Sequence, residues 1–247
     1  MLWLVMVMNM HFRGLLFDLD GTLVNSLDFV EASWSAWAER KGVSAQAVRH
    51  YLHGKPAVST LRHFMPDASD AVIEQEFLAL EAYEVSHAEG MTPVPGAREF
   101  LQSLNSLSVP WAIVTSGSLK VASARIHHAG LPFPSVLITS EDITRGKPDP
   151  QPFLLGAQRL NISAFHCVAF EDSCAGLLSA QAAQSAVVEV LTPQSAAHDL
   201  EVFATIPHYQ NLSVSRKDSG TFFLSIEHGA CDDLEKNAGE RDSLSQY

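Results

Sequence analysis

The sequence predicts a doubly wound α/β protein: a parallel sheet with helices on both faces, interrupted by an inserted helical unit. Three observations predict it. Five short runs, apolar on both faces, recur along the chain and suit buried parallel strands. Stretches with helical periodicity lie between them, as strand–helix–strand crossovers require. From residue 26 to about 91 the strand pattern stops and helical periodicity alone remains.

The runs, in order, are Gly14-Leu15-Leu16-Phe17, Trp111-Ala112-Ile113-Val114-Thr115, Val136-Leu137-Ile138-Thr139, Cys167-Val168-Ala169-Phe170 and Ala186-Val187-Val188-Glu189-Val190-Leu191. Crossover helices are expected near 119–129 and 152–160. Inside the insert, Leu27, Val30, Trp34, Trp37 and Ala38 repeat at three- and four-residue spacing, one face of an amphipathic helix that Gly42 ends. Further helices are expected at 57–65 and 68–87. Thr92-Pro93-Val94-Pro95-Gly96 is a proline-stiffened linker that returns the chain to the α/β pattern.

The expected division is therefore a core of residues 11–25 and 93–226 and a helical insert of residues 26–92. Residues 212–226 read as a β-hairpin. Residues 227–247 carry six acidic side chains, two basic ones and few large apolar ones, and are expected to form a disordered acidic tail. Leu2 to Met8 is apolar but too short to span a membrane and lacks the basic start of a signal peptide. We read the residues before His11 as an over-extended start, leaving open whether 1–9 belong to the mature protein.

Composition narrows the function classes. With 47% hydrophobic residues in 247, the chain can bury a sizeable core. Its net charge of −12 argues against a nucleic-acid or anionic-membrane partner held by bulk charge. Three cysteines without a CxxC argue against a disulfide framework, and eleven histidines include no HExxH zinc pattern. A reducing, cytoplasmic setting is expected.

The chemistry follows the strands. In such sheets ligands bind at the carboxyl ends of the strands. Asp18-Leu19-Asp20-Gly21-Thr22 follows the first run, and residues two apart on an extended chain point to the same side. A calcium loop would need Gly at Leu23 and Glu at Phe29, so that reading fails. Thr115-Ser116-Gly117 offers hydroxyl and backbone donors at a helix start, either for a phosphate or as an ordinary cap. Arg145-Gly146-Lys147-Pro148-Asp149-Pro150 presents Lys147 in a stiff loop, although a lone lysine is as a rule a solvated surface residue. Glu171-Asp172-Ser173 supplies oxygen ligands for a hard cation, or one more helix cap.

Together these segments resemble the four motifs of the haloacid dehalogenase superfamily, over residues 13–226. More closely, the chain resembles that superfamily's bacterial sugar-phosphate phosphatases of the hexitol type. The closer likeness is carried by His53-Gly54-Lys55-Pro56-Ala57, Thr60-Leu61-Arg62-His63-Phe64-Met65, Pro110 to Ser118 and Leu154-Leu155-Gly156-Ala157-Gln158. The resemblance implies a Rossmann-like core with a helical cap, and Mg²⁺-dependent hydrolysis of small sugar phosphates, hexitol or hexose phosphates. It assigns Asp18 as the nucleophile that forms an aspartyl-phosphate and Asp20 as the acid/base. Mg²⁺ would be held by Asp18, the main-chain carbonyl of Asp20 and Asp172, with Glu171 supporting. Lys147, Ser116 and Gly117 would hold the phosphate.

A sugar phosphomutase or a phosphoglycolate-type phosphatase are the alternatives, and a non-catalytic binding protein is a third. Leu27-Asp28-Phe29-Val30 lacks the cap histidine that the resemblance implies for a mutase. In the cap, Lys55, Arg62 and His53 are candidates for substrate contact. Trp34 and Trp37 read as core, and Cys174 as a small packing residue with no activating base beside it. Two residues depart from the pattern: Asn25 stands for the usual Asp and is expected to make a similar local cap. Gln184 stands for a usual Gly and is expected to strain a helix end.

Overall fold

The computed structural model describes residues 6–192, 197–218 and 220–228. The chain begins with β1 (Met6–Phe12) and β2 (Gly14–Phe17), then makes α1 (Leu27–Lys41), α2 (Ala45–Leu52), α3 (Ala57–Phe64) and α4 (Asp70–Ser86). It continues through α5 (Ala97–Ser106), β3 (Trp111–Val114), α6 (Leu119–His128), β4 (Val136–Ile138), α7 (Gln151–Arg159), β5 (Cys167–Glu171), α8 (Cys174–Ala182) and β6 (Ala186–Val190). It closes with β7 (Ala204–Ile206), β8 (Leu212–Asp218) and β9 (Thr221–His228).

Six strands form a parallel sheet in the order β4-β3-β2-β5-β6-β7. The strand alternation explains why the runs are apolar on both faces. Leu15 and Phe17 of β2, Trp111 and Ile113 of β3, and Val168 and Phe170 of β5 enter one core cluster, beneath α5 and α6. Leu16, Ala112, Val114 and Ala169 point the other way, onto Phe153 and Ala157 of α7 and Leu177 and Ala180 of α8. Phe17 stacks on Phe170 with ring centroids 4.8 Å apart, tying the two strands that carry the site.

Helices α1 to α4 have a core of their own, built from Val30, Trp34, Trp37, Val48, Leu52, Leu61, Ile73 and Leu80. Gly42 ends α1 in the left-handed conformation (φ 68°), and its N–H closes onto the carbonyls of Ala38 and Glu39. Helix α2, capped by the side chain of Ser44, was not expected; at eight residues it carries too short a period to stand out. Helix α5 and strand β7 were likewise not expected.

The chain ends are corrected. Of the run before His11, read as an over-extended start, residues 6–10 belong to strand β1, paired antiparallel with β9 from Met6 to Phe12; residues 1–5 lie outside the described residues. Beside it β8 and β9 form the expected hairpin, and this second sheet, β1-β9-β8, lays Phe12, Phe222, Leu224 and Ile226 on the first core cluster. The expected acidic tail begins too early: Glu227 and His228 belong to β9, and 229–247 lie outside the described residues. Gln184 takes a left-handed backbone (φ 65°) just after α8, the strain expected of a side chain where glycine fits. Among the described residues no helix is long and apolar enough to cross a membrane.

Candidate active site

Register brings the motifs together. Phe17 pairs with Ile113 on one side and with Phe170 on the other, so the residues just past these strands share one edge. Asp18 continues β2 and donates its N–H to the Phe170 carbonyl at 3.0 Å. Lys147 reaches the same point from the loop before α7. Its ammonium is fully buried and donates to Asp18 Oδ1 (2.5 Å), Glu171 Oε1 (2.6 Å) and the Val114 carbonyl (3.0 Å). All three of its N–H bonds are thereby used, which removes the reading of a solvated surface lysine.

Glu171 is held from behind. Its Oε2 accepts the backbone N–H of Asp172 and of Ser173, both at 2.8 Å, and the Ser173 hydroxyl at 3.0 Å. Gly176 packs so closely on this carboxylate that a β-carbon there would overlap it. Asp172 accepts the Thr22 hydroxyl on Oδ1 at 3.0 Å. Gly21 (φ 81°) turns the chain against its other oxygen, leaving no room for a side chain.

Asp18, Glu171 and Asp172 are all buried, with carboxylate oxygens within 4.8 Å of one another. Burial pushes the Asp18 carboxyl up to about 8; Lys147 opposes the shift, while Glu171 and Asp20 add to it. Burial also raises Asp172 well above its usual range, reinforced by Glu171 and Asp18. Burial would lower the Lys147 ammonium, but Asp18 and Glu171 outweigh it and hold the group above its ordinary value. Three acids thus share one base. Among the described residues no donor reaches the second oxygen of Asp18 or of Asp172. A divalent, oxygen-seeking cation fits this deficit and this donor set.

Asp20 lies outside the lysine cluster. Its Oδ1 accepts the buried Ser26 hydroxyl, and its Oδ2 accepts Arg125 Nη1, each at 2.5 Å. Arg125, on α6, sends its other terminal nitrogen to Glu84 of α4 at 2.8 Å.

The helical insert closes over this edge through residues 53–56. The Ser116 hydroxyl donates to the Gly54 carbonyl at 2.9 Å. Gly54 (φ 73°) lies so close to Ser173 that a β-carbon would overlap its hydroxyl, and Pro56 packs against Gly146 in the same manner. The cavity beneath is lined by Asp18, Asp20, Thr115, Ser116 and Gly117 from below and by Trp34, Leu52, His53, Lys55 and Glu84 from above.

Some expectations need correction. Ser116 does not cap α6; Ser118 does, accepting the Val121 N–H, and the Gly117 N–H turns back to the Thr115 hydroxyl at 3.0 Å. Arg62 pairs with exposed Asp70 at 2.7 Å and lines no part of the cavity. Lys55 and His53 do line it. Lys55 donates to the Tyr51 carbonyl and sits 3.6 Å from the centre of the Tyr51 ring, and burial lowers its pKa. His53 lies 3.0 Å from Glu31. Trp34 and Trp37 are core, although Trp34 also forms one wall of the cavity. Cys174 is exposed at the start of α8 rather than packed, Cys167 is free and buried, and Cys231 lies outside the described residues. Asn25 makes no local cap: its Nδ2 donates across the linker to Thr92 Oγ1 (3.2 Å) and the Pro93 carbonyl (3.1 Å).

The family model for haloacid dehalogenase-like hydrolases matches residues 12–184. The chain belongs to that family. This haloacid dehalogenase-like hydrolase is 46% identical to Hexitol phosphatase A of Escherichia coli (strain K12), over 87% of its own length and 100% of that protein. It is 32% identical to the Validoxylamine A 7'-phosphate phosphatase of Streptomyces hygroscopicus subsp. limoneus, over 78% of its length and 90% of that protein's. The crystal structure of a hydrolase from Pseudomonas syringae shares the fold, with a TM-score of 0.71, 22% identity and coverage of 79% and 93% of the two chains.

The sequence reading of this hydrolase missed Arg125, Glu84 and Ser26. Arg125 stands in the buried stripe Val121, Ala122, Arg125, Ile126 of α6. Glu84 continues the α4 spacing of Ile73, Phe77 and Leu80. A charge inside an apolar stripe is a legible signal, since burial without a partner would be costly. Ser26 carries no such mark.

Proposed function

We propose that the chain is a Mg²⁺-dependent phosphatase acting on small sugar phosphates, hexitol and hexose phosphates first, through an aspartyl-phosphate. The observation that carries this reading is the buried Asp18–Lys147–Glu171–Asp172 cluster, opening on a cavity that Asp20 also lines. The names of its relatives, Hexitol phosphatase A and Validoxylamine A 7'-phosphate phosphatase, support the substrate class.

In this reading Asp18 attacks phosphorus; the new Asp18 oxygen–phosphorus bond forms as the bond to the alkoxide oxygen breaks. Lys147 fixes one Asp18 oxygen and so aims the other. Asp20, free of the lysine cluster, gives its proton to the departing alkoxide. Water then attacks the phosphorus of the aspartyl-phosphate, Asp20 takes back a proton, and inorganic phosphate and the Asp18 carboxylate are released. Asp18, the main-chain carbonyl of Asp20 and Asp172 would hold Mg²⁺, with Glu171 behind them. When bound, the ion offsets the repulsion between a carboxylate nucleophile and an anionic ester. Ser116, Gly117 and Lys147 would each supply a donor to the phosphoryl oxygens by giving up a present partner: the Gly54 carbonyl, the Thr115 hydroxyl and one of the three oxygens around the ammonium. The free thiols Cys167 and Cys174 suit a reducing compartment, and we place the enzyme in the cytoplasm.

The test is release of inorganic phosphate from hexitol, hexose, pentose and glycolate phosphates, with Mg²⁺, with EDTA, and with Asp18→Asn. Metal-dependent release from hexitol or hexose phosphates, lost in Asp18→Asn, is the expected result. Silence across the panel from folded protein with Mg²⁺ would overturn the reading.

A further inference from the structure

We infer that Arg125 is a positioning residue for Asp20, and that the cap holds Arg125 in place through Glu84. The inference rests on Asp20 being the proton donor of the reaction proposed above. Its geometry is independent of that reading.

Arg125 is a buried cation, its side chain only 4% exposed, on the face of α6 that meets the cap. Burying a guanidinium is costly unless it is paired; here both terminal nitrogens are paired, while the buried Nε has no hydrogen-bond partner among the described residues. Its two partners come from different parts of the molecule: Asp20 from the loop after β2, and Glu84 from α4 of the helical insert. A guanidinium is a rigid planar fork, so fixing Nη2 on Glu84 also fixes the direction of Nη1. The other Asp20 oxygen is held by Ser26. Each Asp20 oxygen keeps a second lone pair that can carry the transferred proton, and with both oxygens anchored the carboxyl has one orientation, which in-line proton transfer to a leaving oxygen requires. Neither Arg125 nor Glu84 touches the Lys147 cluster by a hydrogen bond or ion pair.

The same seam contains its own control. Lys120 of α6, its side chain 69% exposed, donates to the buried Glu81 of α4 at 2.8 Å. Both pairs fasten α4 to α6. Of the two, only the Arg125–Glu84 pair reaches Asp20. An effect of general cap loosening would therefore follow Glu81 as well as Glu84, whereas an effect on the proton donor would follow Glu84 and Arg125.

The experiment compares leaving groups in the full chain with Mg²⁺. A hexitol phosphate expels an alkoxide that needs a proton. Acetyl phosphate and p-nitrophenyl phosphate expel stable anions that do not. The readout is kcat/KM, which reports transfer to Asp18; kcat also contains the water step, in which Asp20 acts for every ester. Arg125→Gln is expected to lower kcat/KM for the hexitol phosphate by about 10²-fold, the scale of one general acid, with kcat/KM of the two activated esters near wild type. Glu84→Gln shifts the same ratio less, Arg125→Lys recovers part of it, and Glu81→Gln leaves it unchanged.

Equal loss of kcat/KM on all three esters in a folded Arg125→Gln protein would make Arg125 structural and overturn the inference. A loss for the hexitol phosphate matched by an equally weakened inhibition by the free hexitol would make Arg125 a substrate contact and overturn it too. Should Arg125→Gln fail to fold, Glu84→Gln removes the tether from the cap side alone and the same ratio decides. A wild-type protein silent on every ester overturns the phosphatase reading itself; an active wild type with unaltered selectivity in the variants overturns this inference alone.

Discussion

The hydroxyl of Ser116, in the core, donates to the carbonyl of Gly54, in the cap, at 2.9 Å. That hydroxyl has one proton, and the same proton is the donor assigned to the phosphoryl group. Cap docking and phosphate binding therefore compete for it, and substrate entry must trade one partner for the other. Ser116→Ala is expected to lower kcat/KM for a hexitol phosphate on the order of 10²-fold, as for loss of one transition-state donor. Steady-state kinetics check it, and a variant within the error of wild type would show that Ser116 does nothing beyond the docking contact.

The acid cluster fixes the sign of a pH effect on stability. In metal-free protein Asp18 is raised by burial to about 8, well above its unfolded value near 4. The native state then binds a proton more tightly than the unfolded chain does. Its contribution to stability is complete below about pH 4 and is lost as pH rises through about 8. Asp172, shifted the same way by burial, adds in the same sense. Urea unfolding in EDTA is expected to show stability from this cluster falling between pH 5 and 9, and saturating Mg²⁺ is expected to flatten the trend by binding the native state. A rise with pH in EDTA would contradict the assignment.

Substitutions that alter the charge count of the cluster should part activity from stability. Asp18→Asn removes one of three buried acids, so it abolishes turnover while leaving the metal-free fold as stable as wild type or more so. Lys147→Met leaves the three acids with no buried cation, which breaks a buried pair at about 3–5 kcal/mol. Phosphate release and urea unfolding in EDTA, run side by side, read both effects.

Gly176 makes the same point through sterics. A β-carbon there overlaps the Glu171 carboxylate, whose Oε1 holds Lys147. Gly176→Ala is expected to lower the melting temperature and to cut kcat although residue 176 touches no substrate. An alanine variant with wild-type kcat would show that Glu171 can move without cost.

The sheet was legible because β2, β3 and β5 bury both faces, which no other role demands of such short runs. The site followed because parallel register puts the residues after those strands side by side. What stayed hidden depends on pairings made across the fold. Arg125 is joined to Asp20 across 105 residues and Glu84 to Arg125 across 41, so neither belongs to a local motif. Arg62 stood beside Lys55 as a candidate by charge and nearness, with Lys55 preferred; the path of α3 turns Arg62 out to Asp70. Strand β1 was illegible because its partner, β9, lies at the other end of the sequence, so nothing local distinguishes it from an unstructured apolar leader.

Asn25 offers the last prediction, because sequence treated it as equivalent to aspartate and geometry does not. Its side-chain N–H group donates to Thr92 Oγ1 and to the Pro93 carbonyl, while its backbone N–H donates to the Thr92 carbonyl at 2.9 Å. Asn25 thereby ties together the two chain segments that lead into and out of the helical insert. A carboxylate has no proton to offer a carbonyl and repels it. Asn25→Asp is expected to cost about 1 kcal/mol, the net value of a typical hydrogen bond at a solvent-accessible position. It should also raise KM for the hexitol phosphate, because the insert loses one of its anchors to the core. Urea unfolding at neutral pH and steady-state kinetics check the two effects. An aspartate variant as stable as wild type would return Asn25 to the local capping role expected from sequence.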